Sequence, residues 1–163
     1  MLSAITKNIK KRNLKGTDVQ IYDAEKCFDK LWASECYNDI FNNGFKNDKL
    51  ALLYNINKSA QVAIKTSTGN TRRINIKNTI MQGSVWGSLL CTSSMDMLGK
   101  SLYSEPETLY QYKGVPIPPL GMVDDIICVT NADKSEHMNN HINTFIEHKN
   151  LTLSSTKCYQ IHI

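Results

Sequence analysis

Two adjacent carboxylates, Asp124 and Asp125, interrupt the apolar run GMVDDIICVT (121–130). Acidic side chains are seldom buried without a partner, so the pair demands one of two surroundings. One is a tight turn that exposes both, a setting in which Asp is common. The other is a cation held at the tip of a hairpin. A third carboxylate, Asp23, closes the stretch VQIY (19–22). If the strand ending at Asp23 neighbours the hairpin that carries the Asp pair, three oxygen donors converge. Hard divalent cations such as Mg²⁺ need such donors and keep positions open for phosphate oxygens. Two such ions, about 3.5–4 Å apart, activate one oxygen and stabilise the leaving one. Spacing alone leaves turn and metal site both open.

Other residues with chemical potential carry less. His137 and His141 are four apart in EHMNNH. Glu136 precedes the first His, Met138 stands where H-E-x-x-H requires Glu, and no third ligand is evident, so the pair reads as a polar helix face. The five cysteines, at 27, 36, 91, 128 and 158, contain no C-x-x-C pair, which argues against a zinc knuckle or a redox motif. Their odd number points to a reducing, intracellular setting, with Cys27, Cys91 and Cys128 as small core residues. Trp86, Tyr103, Tyr110 and Tyr112 default to packing, although such rings can stack on bases.

The elements that must position these residues follow from periodicity. The 163 residues, 41% hydrophobic, suffice for one domain with a real core. TDVQIYDA (17–24) alternates as a strand. A helix is expected next, with Phe28, Leu31, Trp32, Cys36 and Ile40 on one face and Gly44 as its stop. A second helix is expected over 48–57, a hairpin over 60–77 and a third helix from Ser84 to about Leu102. Residues 105–121, with Pro106, Pro116, Pro118 and Pro119, read as a loop. Two short strands then flank Asp124–Asp125. The segment 133–150 is an amphipathic helix with stripe Met138, Ile142, Phe145 and Ile146, and Asp133 with Glu136 resembles a capping box. CYQIHI (158–163) alternates as a last strand. Strands paired as hairpins and interleaved with helices predict an α+β domain of two layers, an antiparallel sheet with helices on one face. Net charge is +4, and five of the nine residues Lys7–Lys15 are basic. That cluster suits a phosphate backbone and equally suits a solvated terminal segment. MLSAITKNIKKR has no apolar h-region, and no stretch approaches the roughly 20 apolar residues that span a bilayer.

Four words occur in order: VQIYDAEKCFDKLW (19–32), MQGSVWGSLLC (81–91), GMVDDIICVT (121–130) and LTLSSTKC (151–158). Together they resemble motifs A, B, C and D of reverse transcriptases, in the flavour of non-LTR retrotransposon enzymes, whose motif A often reads D-A-x-K-x-F-D. The resemblance runs from about Thr17 to about Cys158 and implies a palm domain. It implies that Asp23, Asp124 and Asp125 hold two Mg²⁺ ions (Mn²⁺ being an alternative), with the backbone carbonyl of Ala24 in reach. It implies nucleotidyl transfer from a deoxynucleoside triphosphate to a primer 3′-hydroxyl. Phe28 would lie against the sugar of the incoming nucleotide and reject a 2′-hydroxyl, although it also fits a core stripe. Gln82 and Gly83 match the Q-G of motif B, otherwise a turn before a helix. Lys157 matches the motif D lysine that protonates pyrophosphate, otherwise a solvated lysine. Two positions depart from the pattern: Met122 replaces an aromatic, and Ser88 replaces the proline of Q-G-x-x-x-G-P.

The expected organisation is a basic segment over 1–16, on the fingers side, and a palm over 17–163 that lacks full fingers and thumb regions of a longer polyprotein. The implied partners are an RNA template, a DNA primer and deoxynucleoside triphosphates, with no membrane. Two rivals stand beside the polymerase palm. One is a non-catalytic nucleic-acid-binding remnant of a retrotransposon. The other is a metal-dependent nucleotide enzyme on a similar sheet, such as a nucleotide cyclase.

Overall fold

A computed structural model describes residues 16–77 and 79–163, so the basic cluster Lys7–Lys15 lies outside the described residues. The element order is β1 (Thr17–Asp23), α1 (Cys27–Lys30), α2 (Ala33–Asn42) and α3 (Asp48–Lys58), then the short strands β2 (Gln61–Val62), β3 (Lys65–Thr66), β4 (Gly69–Asn70) and β5 (Ile74–Asn75). Next come α4 (Val85–Tyr103), β6 (Gln111–Tyr112), β7 (Val115–Pro116), β8 (Leu120–Met122), β9 (Asp125–Asn131), α5 (Ser135–His148) and β10 (Tyr159–His162). The fold is the expected α+β arrangement with an antiparallel sheet. Two compact units divide it: the residues up to Glu25 together with Met95–Ile163, and Lys26–Ser94. Among the described residues no helix is long and apolar enough to cross a membrane.

The first unit is built on a four-stranded sheet of order β10-β1-β9-β8. β1 is interior and antiparallel to both neighbours, and its side chains are buried on both faces. Side chains alternate across a strand, and the two faces differ in chemistry. Asp18, Gln20 and Tyr22 point to α5. The Gln20 amide donates to the Ser135 carbonyl and to Asn139 Oδ1, both at 3.2 Å, and the Tyr22 hydroxyl donates to Asn139 Oδ1 at 2.5 Å. The stripe of α5 that meets the core is Met138, Ile142 and Ile146, all buried. Each contributes about 1.5–3 kcal/mol by leaving water. The opposite face carries Val19 and Val129, with Ile21, Tyr110, Ile127, Ile161 and Ile163 packed against them.

In the second unit α2 and α3 pack through Tyr37, whose hydroxyl donates to the Leu53 carbonyl at 2.9 Å and whose ring meets Tyr54 edge-on. Asn47 caps α3 by accepting from the backbone N–H groups of Lys49 and Leu50. Cys27 and Cys91 are core residues here, as Cys128 is in the first unit; burial pushes the Cys128 thiol up to about 12, which keeps it protonated and inert.

Three local expectations are corrected. The single helix after β1 is two helices, because Leu31 is extended at φ −62°, ψ 130° and breaks the period. The break leaves Leu31, Cys36 and Ile40 buried and turns Trp32 out of the core, at 47% exposure. Asp133 does not cap α5: that helix starts at Ser135 behind a 3₁₀ turn, Ala132–Lys134, and no side chain caps it. The Ser135 hydroxyl instead donates to the Asp18 carboxylate. Finally, the proline-rich stretch contains a small hairpin, β6–β7, turned by Lys113 and Gly114, both at positive φ. That is the hairpin turn geometry that fits strand twist.

Candidate active site

β1 and β9 pair along their whole lengths, and their last pair in register is Asp23 opposite Asp125. Directly opposed residues project to the same face, here the Val19–Ile127 face and not the α5 face. Asp124 sits in the turn between β8 and β9, whose closing pair is Met122 and Asp125. Its carbonyl accepts from the Ala24 N–H at 3.4 Å, which ties the hairpin tip to the residue after Asp23. Asp23 and the sequence-distant pair Asp124–Asp125 thus come to one end of one sheet.

The chain after α5 completes this end. Ala24 bridges Leu153, with Ser154 N–H donating to the Asp23 carbonyl and Glu25 N–H to that of Thr152, at 2.9 and 2.8 Å. The Lys157 ammonium reaches the Asp23 carboxylate, 3.1 Å from Oδ1 and 3.4 Å from Oδ2. Lys157 is mostly exposed, while the Asp23 side chain is 13% exposed. The hydrogen bond and the charge of Asp23, helped by Asp124 and Asp125, raise the Lys157 amine above its usual range. Asp124 is also raised: burial contributes most, and repulsion from Asp125 and Asp23 adds to it against its own backbone hydrogen bond and Lys157. One ammonium therefore leaves the negative charge of three carboxylates incompletely balanced.

This donor set has the hard oxygen chemistry that Mg²⁺ selects, and the repulsion felt by Asp124 is what a cation would relieve. Among the described residues no group of three or more His, Cys, Asp or Glu side chains is placed to hold a metal ion; the Asp23 carboxylate is engaged by Lys157 instead. The other anticipated residues, Phe28, Gln82 and Gly83, belong to the second unit. Phe28 is half-buried on α1, its carbonyl accepting from Ile80 N–H at 3.2 Å. Gln82 and Gly83 are exposed, and Gly83 has φ +81°.

Two features escaped sequence reasoning. Val123, at the first central position of the β8–β9 turn, has φ +62°, a conformation that costs a β-branched residue energy and clusters at functional sites. Val is the last residue that pattern reading would put there. Gly87 is the second: a Cβ there would lie 2.4 Å from the Met81 carbonyl oxygen. The signal was the second glycine of Q-G-x-x-x-G, which is Gly87 in QGSVWG.

A family model described as reverse transcriptase (RNA-dependent DNA polymerase) matches residues 2–162. No curated protein matches the chain. Among solved structures, apo telomerase from Candida tropicalis aligns at a TM-score of 0.72 with 14% identity, over 99% of this chain and 31% of that one. Telomerase from the same organism in complex with the TWJ fragment of telomeric RNA aligns at 0.69 with 16% identity, over 98% and 28%. At these identities the likeness speaks to the fold. The chain spans about a third of the length of these structures' chains.

Proposed function

The chain belongs to the reverse transcriptase family, and on that premise we propose that its β1–β9 sheet end is the nucleotidyl-transfer site of an RNA-directed DNA polymerase palm. The observation that carries the proposal is the register of Asp23 opposite Asp125, with Asp124 at the adjoining turn. Asp23, Asp124 and Asp125 are the residues that would hold divalent cations, Mg²⁺ or Mn²⁺, with the Ala24 carbonyl beside them. When bound, such a pair of ions supplies Lewis-acid activation of a primer 3′-hydroxyl and neutralises the charge that builds on the phosphates. In the reaction the 3′-oxygen bonds to the α-phosphorus of a deoxynucleoside triphosphate, the bond from that phosphorus to the β-phosphate oxygen breaks, and pyrophosphate leaves. Chemistry of this kind depends on positioning and electrostatics more than on covalent help. Lys157 is assigned to deliver a proton from Nζ to the leaving pyrophosphate; Asp23 holds that proton in place, so the role requires a cation to take over the Asp23 carboxylate. Phe28 is assigned as the sugar gate, and Gln82 and Gly83 to the nucleotide and template side.

The D-A-x-K-x-F-D form of residues 23–29 supports a non-LTR retrotransposon origin, with an RNA template and a DNA primer as partners and further polypeptide supplying fingers and thumb. The C. tropicalis complex, which contains telomeric RNA, is in keeping with an RNA partner. Five cysteines, none of them in a disulfide among the described residues, suit a reducing, intracellular location. The test is primer extension with Mg²⁺, primer–template and labelled deoxynucleotides, using a polypeptide that joins this chain to fingers and thumb. Asp124→Asn abolishes extension while circular dichroism stays unchanged; extension that survives the change contradicts the assignment. A second reading draws on Lys157 at the Asp23 carboxylate: a nucleic-acid-binding remnant that no longer takes up metal. Salt-sensitive RNA binding without any response to Mg²⁺ favours it.

A further inference from the structure

Between Asp48 and Asp96 the sequence contains no acidic residue, although the chain has 15 of them, and it contains six lysines and arginines. Two of the chain's three arginines, Arg72 and Arg73, are adjacent within this stretch. The structure gives that arrangement a shape. Ala60 through Ile76 form one hairpin: Ile76 N–H donates to the Ala60 carbonyl, Gln61 pairs with Asn75, and Val62 with Ile74. Farther out, Thr71 N–H donates to the Ile64 carbonyl, Lys65 pairs with Asn70, and Thr66 with Gly69.

The register shifts by one residue between these two halves. Between the Val62–Ile74 pair and the Thr71–Ile64 hydrogen bond, one residue, Ala63, is left for two, Arg72 and Arg73, the count of a β-bulge. Such bulges re-aim side chains and recur beside functional sites. This one carries two guanidinium groups, and Lys65 lies two residues from Ala63 on the facing strand. All of these side chains are exposed, and among the described residues Lys65, Arg72, Arg73 and Lys77 form no ion pair. A solvated hairpin with self-balanced charge would mix signs; this one has a single sign. Guanidinium pairs fit phosphate oxygens by bidentate donation.

We propose that the bulged hairpin 60–76 grips the phosphodiester backbone of a nucleic acid, with Arg72 and Arg73 on successive phosphates. The inference rests on the proposed function only in taking nucleic acid as the partner; it requires neither metal nor catalysis. Contact with phosphate alone fixes position and reads no base.

The test measures binding of labelled RNA and DNA oligonucleotides of one sequence, about 12 nucleotides long, a span within known single-strand site sizes, to the full chain across a salt series. Arg72→Ala with Arg73→Ala should weaken binding several-fold and lower the slope of log affinity against log salt by about 1.4, two phosphates at about 0.7 each. Arg72→Lys with Arg73→Lys should keep most of the slope. A loss seen with one oligonucleotide alone assigns the contact to that kind of strand. An unchanged slope in the alanine variant overturns the proposal, as does full competition by one equivalent of a deoxynucleoside triphosphate, which would make the pair a triphosphate site. Asp124→Asn serves as the control: it abolishes extension and leaves the slope intact, so failure of the hairpin and failure of the catalytic assignment read out separately.

Discussion

Two carboxylate sites lie on the same strand, five residues apart, and they are opposites. Asp18 is buried, at 2% exposure, and the chain supplies every partner it needs. Ser135 donates to one oxygen, Gln160 to the same oxygen at 2.7 Å, and His162 Nδ1 lies 2.6 Å from the other. Burial pushes its pKa up, but the bonds from Ser135, His162 and Gln160 and the His162 charge outweigh that and leave it below the usual range. Asp23 ends the same strand facing the other way, and it shares its sheet end with Asp124 and Asp125. There one exposed lysine answers three carboxylates, and Asp124 is raised. A satisfied carboxylate serves the fold. A crowded, under-compensated group at a sheet end is a candidate for function.

Substitutions break this contrast from its strongest side first. On the proposed assignment, Asp124→Asn or Asp125→Asn should lower primer extension by about 10³-fold, the upper end for loss of one electrostatic group. Asp124→Asn should also leave the melting temperature unchanged or higher at neutral pH. The sign follows from the raised pKa: the ionised carboxylate costs the folded state stability, and the cost disappears when the group is neutral. Lys157→Ala should reduce the rate by about 10²-fold, the low end of general-acid contributions, and should flatten the alkaline limb of the pH–rate profile. The same change frees the Asp23 carboxylate and should strengthen Mn²⁺ binding, a split that a purely structural lysine would not give.

Asp18→Asn tests the other site. It should destabilise the chain by about 2 kcal/mol, measured by urea denaturation, because three donors lose an ionised acceptor, while extension per folded molecule is retained. Asp18 is depressed, so its stabilising contribution is complete above the ordinary carboxylate range and is lost as pH falls through its lowered folded value. An acid unfolding midpoint that does not move in Asp18→Asn would contradict the contrast. The smallest effect belongs to Val123→Gly. Relief of the left-handed backbone should stabilise the fold by about 1 kcal/mol and loosen the Asp124 turn, giving a modest loss of rate.

Much of this was legible in the residues. Alternation in TDVQIYDA and CYQIHI marked β1 and β10, and the stripe Met138, Ile142, Phe145 and Ile146 marked α5, with Phe145 alone of the four only half-buried, because periodicity reports burial. The convergence of Asp23 with the Asp pair was only a conditional statement until the β1–β9 register was known; pairing of distant strands is a tertiary fact with no local signature. The break at Leu31 was hidden because Trp32 fits the helical stripe by type and yet is turned out. The start of α5 at Ser135 was hidden because the Ser135 hydroxyl is drawn to Asp18, which lies far away in sequence. Arg72 and Arg73 were passed over within a correctly anticipated hairpin, since a one-residue register shift is invisible in an alternating pattern.

The central claim is that Asp23, Asp124 and Asp125 act together on a divalent cation. Its most direct test is a Mn²⁺ titration of the full chain followed by paramagnetic broadening of backbone amides. The account predicts saturable broadening centred on Ala24, Asp124 and Asp125, displaced by excess Mg²⁺ and lost in the Asp23→Asn, Asp124→Asn double variant. Broadening centred elsewhere, or unchanged in that variant, would contradict it.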